Sequence, residues 1–174
     1  MIRFTGTKFR AQDQELLMQV AKFTLDKFVP KSKQKMLNIT IRLEDNYTRG
    51  WMGECEYMGL DLSNRRKFNI VVRSTRINRN AKDALKRLKD IMKTIIHEVV
   101  HVKQYANNEM FDYMDGKTKF LGKVYKNPET YMDYWDMPWE VAAYGLQETV
   151  YEQFAFVKKQ GVKAKKKARG KRTK

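Results

Sequence analysis

Residues 80–106 read NAKDALKRLKDIMKTIIHEVVHVKQYA, and the interpretation of the whole chain turns on this stretch. Leu85, Leu88, Ile91, Met92, Ile95, Ile96, Val99 and Val100 recur with a period near 3.6, while Lys82, Lys86, Arg87, Lys89 and Lys93 fall on the opposite side. That pattern predicts an amphipathic helix over roughly 81–106, with Asn80 able to cap it. A break within so long a segment is allowed by the pattern.

Near the end of this helix stands His97-Glu98-Val99-Val100-His101, an H-E-x-x-H spacing. Residues i and i+4 share one helical face, so both imidazoles can reach one ion. Glu98 is rotated from them but close enough to take a proton from a metal-bound water and pass it to a leaving group. The chain has only two histidines, so a third ligand must be Asp, Glu or Cys. Glu140 is the best candidate: it follows Pro138-Trp139 in the first turn of an apolar helix start (Trp139, Val141, Ala142, Ala143), and a buried carboxylate needs a partner. Its alternative role is a helix-start acid favoured by the macrodipole. Cys55, in a predicted strand, reads better as a small core residue, and Glu148 and Glu152 are weaker candidates further along. Tyr144, one turn after Glu140, can orient a ligand or stabilise an oxyanion, or simply pack in the core. Gln104, three residues after His101, is placed to support it. Tyr131, Tyr134 and Trp135 are candidates for a cleft wall, although aromatic clusters more often belong to cores.

Upstream, residues 11–29 read as a helix ended by Pro30, with Leu16, Leu17, Val20, Phe23, Leu25 and Phe28 on its apolar stripe. Asn38–Glu44 and Lys67–Arg73 alternate apolar and polar residues as half-buried strands. Trp51–Met58 is expected to pair back on the first of them through an Asp45-Asn46 turn, with Gly50, Gly53 and Gly59 at turns or bulges. Residues 107–137 are polar, aromatic and irregular, with Asp115-Gly116 a hairpin turn. The last ordered helix is expected over Trp139–Phe156.

At 174 residues the chain makes about one domain and can bury a core without disulfides. One cysteine suits a reducing compartment. With no apolar leader and no apolar run of membrane-spanning length, the expectation is a soluble cytoplasmic protein without membrane partners. The formal net charge is +16, and ten of the 36 Lys and Arg residues lie in 158–174, which holds no acid. The expected division is therefore a domain over 1–157 and a basic, disordered tail over 158–174, able to touch nucleic acid or another polyanion without sequence preference. The tail has no interleaved aromatics for base stacking.

His97–Gln104 (HEVVHVKQ) followed by Pro138–Tyr144 (PWEVAAY) resembles the gluzincin clan, especially the compact minigluzincin-like zinc metallopeptidases, some of them phage-encoded. The resemblance covers these two segments closely and the order of elements over 11–156 loosely. It implies an α+β zincin-like fold, with a small three- to four-stranded, mostly antiparallel sheet packed on an active-site helix and a glutamate helix. It implies one zinc ion per chain on His97, His101 and Glu140, with Glu98 as general base. It implies that the strand near 67–73 binds an extended peptide by edge pairing, and, for a phage protein, a place in the host cytoplasm or the virion. Thermolysin-like members carry an acid four residues after the ligand Glu, where this chain has Tyr144. The interval between His101 and Glu140 is long for a compact member and is a candidate flap. The expected function is peptide hydrolysis. The competing expectation is a nucleic-acid-associated or virion structural protein with an idle zincin fold, against which an intact Glu98 argues. A latent or self-processing enzyme is a third.

Overall fold

In Leu37–Glu44 every second side chain is buried, and the same alternation recurs in Arg66–Arg73. These strands, β2 and β4 in chain order, are the centre of the sheet. The computed structural model describes residues 1–6, 10–44, 52–73, 81–126 and 128–172. Its elements are β1 (Ile2–Gly6), α1 (Ala11–Phe28), α2 (Lys31–Gln34), β2, β3 (Gly53–Leu60), β4, α3 (Ala81–Ala106), β5 (Met110–Asp112), β6 (Thr118–Phe120), β7 (Lys123–Tyr125), α4 (Tyr131–Trp135) and α5 (Pro138–Arg172).

The main sheet has the order β1-β2-β4-β3. β1 pairs with β2 and β2 with β4 in parallel; β3 alone runs antiparallel, against β4. The class is α+β as expected, but the sheet is mixed rather than mostly antiparallel. Two causes account for the difference. The short β1 was not anticipated, and α1 is the crossover that brings a following strand back parallel to it. β3 also skips past β2 instead of pairing back on it. Its glycines and its charges at Glu54 and Glu56 suit an edge, whereas β4 carries buried Phe68, Ile70 and Val72 and belongs in the middle. With β2 on one side and β3 on the other, Lys67–Arg73 has no free edge, so it cannot bind a peptide by edge pairing.

One core joins the sheet to the helices. Ile39, Ile41, Phe68 and Ile70 meet Leu17, Val20 and Leu25 of α1 and Ile91, Ile95, Ile96 and Val99 of α3, with Val150 and Phe154 of α5 completing it. α3 is unbroken, because every residue from Ala81 to Ala106 is compatible with helix. A second antiparallel sheet, β5-β6-β7, fills much of the interval between α3 and α5. Its β5–β6 connection contains Asp115 and Gly116, the latter at φ 81°, as the turn reading expects. The Asp45-Asn46 turn and the Asn80 cap lie outside the described residues.

α4 is opened by a capping box: Thr130 Oγ1 accepts from the Asp133 amide at 3.1 Å, and the Thr130 amide donates to Asp133 Oδ2 at 2.9 Å. α5 begins at Pro138, where the missing N–H costs nothing. It is helical through Arg172, past the expected end at Phe156; the Lys, Ala and Arg that follow are good helix formers and no proline intervenes. No helix among the described residues is long and apolar enough to cross a membrane.

Candidate metal centre

α3 lies between the sheet and α5, so its histidine-bearing face meets the first turns of α5. His97, His101 and Glu140 are all buried there. His97 Nε2 lies 3.1 Å from Glu140 Oε2, and His101 Nε2 lies 3.3 Å from Glu140 Oε1. The two Nε2 atoms are 3.2 Å apart. Two ring nitrogens and a carboxylate, with ligand atoms all within 4.8 Å of one another, are the donors a metal ion needs. Glu140 is almost wholly inaccessible, and a carboxylate so placed requires positive charge beside it. The residues fit a bound cation. Of the other ligand candidates, Cys55 is half-buried in the cleft wall, with burial pushing its thiol well above the usual range. Glu148 is engaged by Lys93, and Glu152 is exposed. None of the three belongs to the converging group.

The supporting contacts are specific. Gln104 Oε1 lies 2.9 Å from His101 Nδ1, while Gln104 Nε2 donates to the Trp139 carbonyl at 2.9 Å. One amide therefore fixes the His101 ring and ties α3 to the residue before Glu140. If Nδ1 carries the proton, Nε2 is left free to bind a metal. His97 Nδ1 has no hydrogen-bond partner within bonding distance among the described residues, although the Gln147 side chain is near enough to favour the protonated ring. The Tyr134 hydroxyl hydrogen-bonds the Glu140 carboxylate. Tyr144 lies on the His97 ring, with centroids 4.4 Å apart, and Trp135 packs on Tyr144 at 5.3 Å. Tyr134, Trp135 and Tyr144 thus line the cleft, while the Tyr131 side chain lies outside the described residues.

Glu98 is buried one position along from His97, with its carboxylate against the start of β3. A Cβ placed on Gly53 would stand 2.2 Å from Glu98 Oε1 and 2.5 Å from Thr94 Cγ2. Gly53 is there because no side chain fits between the edge strand and this carboxylate. The sequence carries no local signal of that contact, which joins residues 45 positions apart. Gln147 could have been found: it stands seven residues after Glu140, on the same face of α5.

Burial, reinforced by Glu140 and Glu54 and opposed by His101, raises the Glu98 carboxyl from its ordinary 4.5 to about 8. Burial lowers His97, against the pull of Glu140. Burial also works against a charged His101, but Glu140, Glu98 and Gln104 together outweigh it and raise that ring to about 9. Burial would raise Glu140, yet His101, His97 and Tyr134 hold it well below the usual carboxylate range. The group is thus an anionic carboxylate facing two imidazoles, one favoured as a cation and one as a neutral ring.

All of this opens into a cleft of about 800 Å³ that runs along α3 between β3 and the β5–β6 hairpin. Comparison with protein-family models, with characterised proteins and with solved structures finds no match.

Proposed function

We propose that the protein is a zinc-dependent peptidase of the gluzincin kind, with His97, His101 and Glu140 holding the ion and Glu98 acting as general base. The observation that carries this is the buried His97–His101–Glu140 group with Glu98 beside it, facing an open cleft rather than a closed core. Two histidines and one carboxylate leave a coordination position free, as a catalytic zinc site requires and a structural one does not. Bound there, zinc supplies activation of a water molecule and polarisation of the scissile carbonyl. Glu98 takes the proton at its carboxylate and returns it to the leaving amine. Gln104 holds His101 in register.

The peptide is read as an extended segment. Among the described residues β3 pairs only with β4 in the main sheet, and its first residues line the cleft, so we assign to this edge the pairing role that β4 cannot take. The cleft-lining part of α3, from Asp90 to Tyr105, spans roughly 22 Å at about 1.5 Å per residue. That accommodates about six residues of extended chain at roughly 3.3 Å each.

The test is cleavage of a peptide library by zinc-loaded protein with and without chelator, beside Glu98→Gln. The amide keeps the size of the side chain and removes the base, so zinc should be retained while kcat falls about 10²- to 10⁴-fold. Undiminished cleavage by Glu98→Gln, or by the chelated protein, would refute the reading.

A further inference from the structure

Beyond His101 the cleft is lined by Tyr105, Met110, Thr118 and Trp139 together with the exposed carboxylate-bearing residue Asp112. Tyr105, one turn after His101, forms one wall; Met110 and Trp139, both buried, form the floor. Asp112, the last residue of β5, also lines this end. Its Oδ1 accepts from Thr118 Oγ1 at 2.8 Å, and its Oδ2 accepts from the Tyr105 hydroxyl. Thr118 is the cross-strand partner of Asp112, and Tyr105 belongs to the helix that carries the histidines. The carboxylate is therefore held at both oxygens by elements that do not depend on a substrate.

A carboxylate has about four lone-pair sites, and these bonds use two. No Lys or Arg pairs with Asp112 among the described residues, in a chain with 36 Lys and Arg against 20 acids. Among the described residues Asp13, Asp26, Glu44, Glu109 and Asp115 do each have a Lys or Arg partner. Among the described residues that line the rest of the cleft the only Lys or Arg is Lys93, and Glu148 engages it. In a protein of net charge +16, Asp112 thus puts an anionic group at this part of the cleft, in addition to Glu54 and Asp90 elsewhere on its lining.

We infer that the pocket bounded by Tyr105, Met110, Thr118 and Trp139 is a subsite for a lysine or arginine side chain, with Asp112 as the specificity-determining residue. The aliphatic stem of such a side chain lies on Met110 and Trp139, and its charged head reaches the remaining lone pairs of Asp112. Because Tyr105 and Thr118 already orient the carboxylate, little ordering is left for binding to supply. A neutral or acidic side chain of similar length meets the same walls with no partner for the carboxylate, or with a like charge. The inference deepens the peptidase reading, but it concerns recognition and is separable from hydrolysis.

The experiment uses zinc-loaded full-length protein and peptides identical except for Lys, Arg, norleucine or Glu at each position around the cleaved bond. At one position kcat/KM should favour Lys and Arg over norleucine by about tenfold, a charged pair partly screened by solvent. Asp112→Asn, which keeps the Oδ1 acceptor, should bring that ratio close to one. Asp112→Lys should turn the preference toward Glu. Zinc stoichiometry and melting temperature establish that both variants are folded. Equal use of Lys and norleucine at every position, or a Lys preference that survives Asp112→Asn, would overturn the assignment. If no peptide is cleaved, the peptidase reading fails and binding decides the subsite. Fluorescence anisotropy of the labelled Lys and norleucine peptides should then show about tenfold tighter binding of the Lys form, lost in Asp112→Asn. Equal affinity would overturn it.

Discussion

His101 shows how much a single side chain can be asked to do. Its Nε2 faces His97 and Glu140, while its Nδ1 is held by Gln104, whose amide also grips the Trp139 carbonyl. The His–Glu–x–x–His spacing made this helix face legible in the sequence, because 3.6 residues per turn leave two imidazoles together. Glu140 was legible for a different reason: an acid in an apolar helix start needs a partner. Tyr134 and Gly53 were not legible in these roles, because each meets the site only through the tertiary fold. Gly53 offers a clean test. Ala at 53 would push against Glu98 Oε1 and Thr94, both across a tight interface. Gly53→Ala should therefore lower kcat by about tenfold or more through displacement of the base, at roughly 1.4 kcal/mol per decade. Zinc stoichiometry should stay unchanged. Peptide kinetics and metal analysis on one preparation check this, and wild-type kcat in the variant would contradict the proposed contact.

At the scale of elements, α3 carries two buried groups whose proton affinity is raised by the fold. Glu98 rises to about 8 and His101 to about 9 in the metal-free chain. A raised folded-state value means the folded protein holds its proton more tightly than the unfolded chain does. Each contribution is complete below the ordinary value and is lost as pH rises through the folded one. Glu98 and then His101 should thus draw stability from the metal-free protein between about pH 4.5 and about pH 9, partly offset near neutral pH by His97, whose lowered value works the other way. At about 1.36 kcal/mol per unit the Glu98 share has a ceiling of about 5 kcal/mol. Melting curves in chelator across that range should show the decline, and Glu98→Gln should flatten its lower part. A flat profile in the wild type would contradict the burial argument. Bound zinc should reverse the slope, because its ligands must be deprotonated. Three helices and three strands were legible at this scale from periodicity, with ends displaced by a residue or two except at the end of α5, which runs to Arg172 rather than Phe156, while α2 and α4 were not anticipated. The strand order was not. β1 is five residues long, and whether β3 lies beside β2 or β4 depends on which surface is left to cover, a property of the assembled sheet.

Over the whole molecule, charge is distributed unevenly. Ten basic residues and no acid occupy 158–174, while the cleft carries Glu54, Asp90 and Asp112 beside the proposed metal ligands. The composition of the terminal segment was legible, but composition says nothing of where a helix stops, and α5 is helical through Arg172. A run of like charges with few apolar groups gains little from packing, so residues 158–174 should exchange amide hydrogen rapidly in the isolated protein. Any binding to DNA should weaken steeply as salt rises and should disappear on deleting these residues. Equal DNA binding by full-length and truncated protein in a salt titration would remove the tail's role. Zinc binding should be untouched by the deletion, because the tail supplies no ligand to the site. The account rests most heavily on the metal centre that joins α3 to α5, and metal analysis of wild type beside Glu140→Ala tests it most directly. One zinc per chain in the wild type, with retention strongly weakened in the variant, is the predicted result. Wild type without bound zinc, or equal stoichiometry and affinity in both proteins, would contradict it.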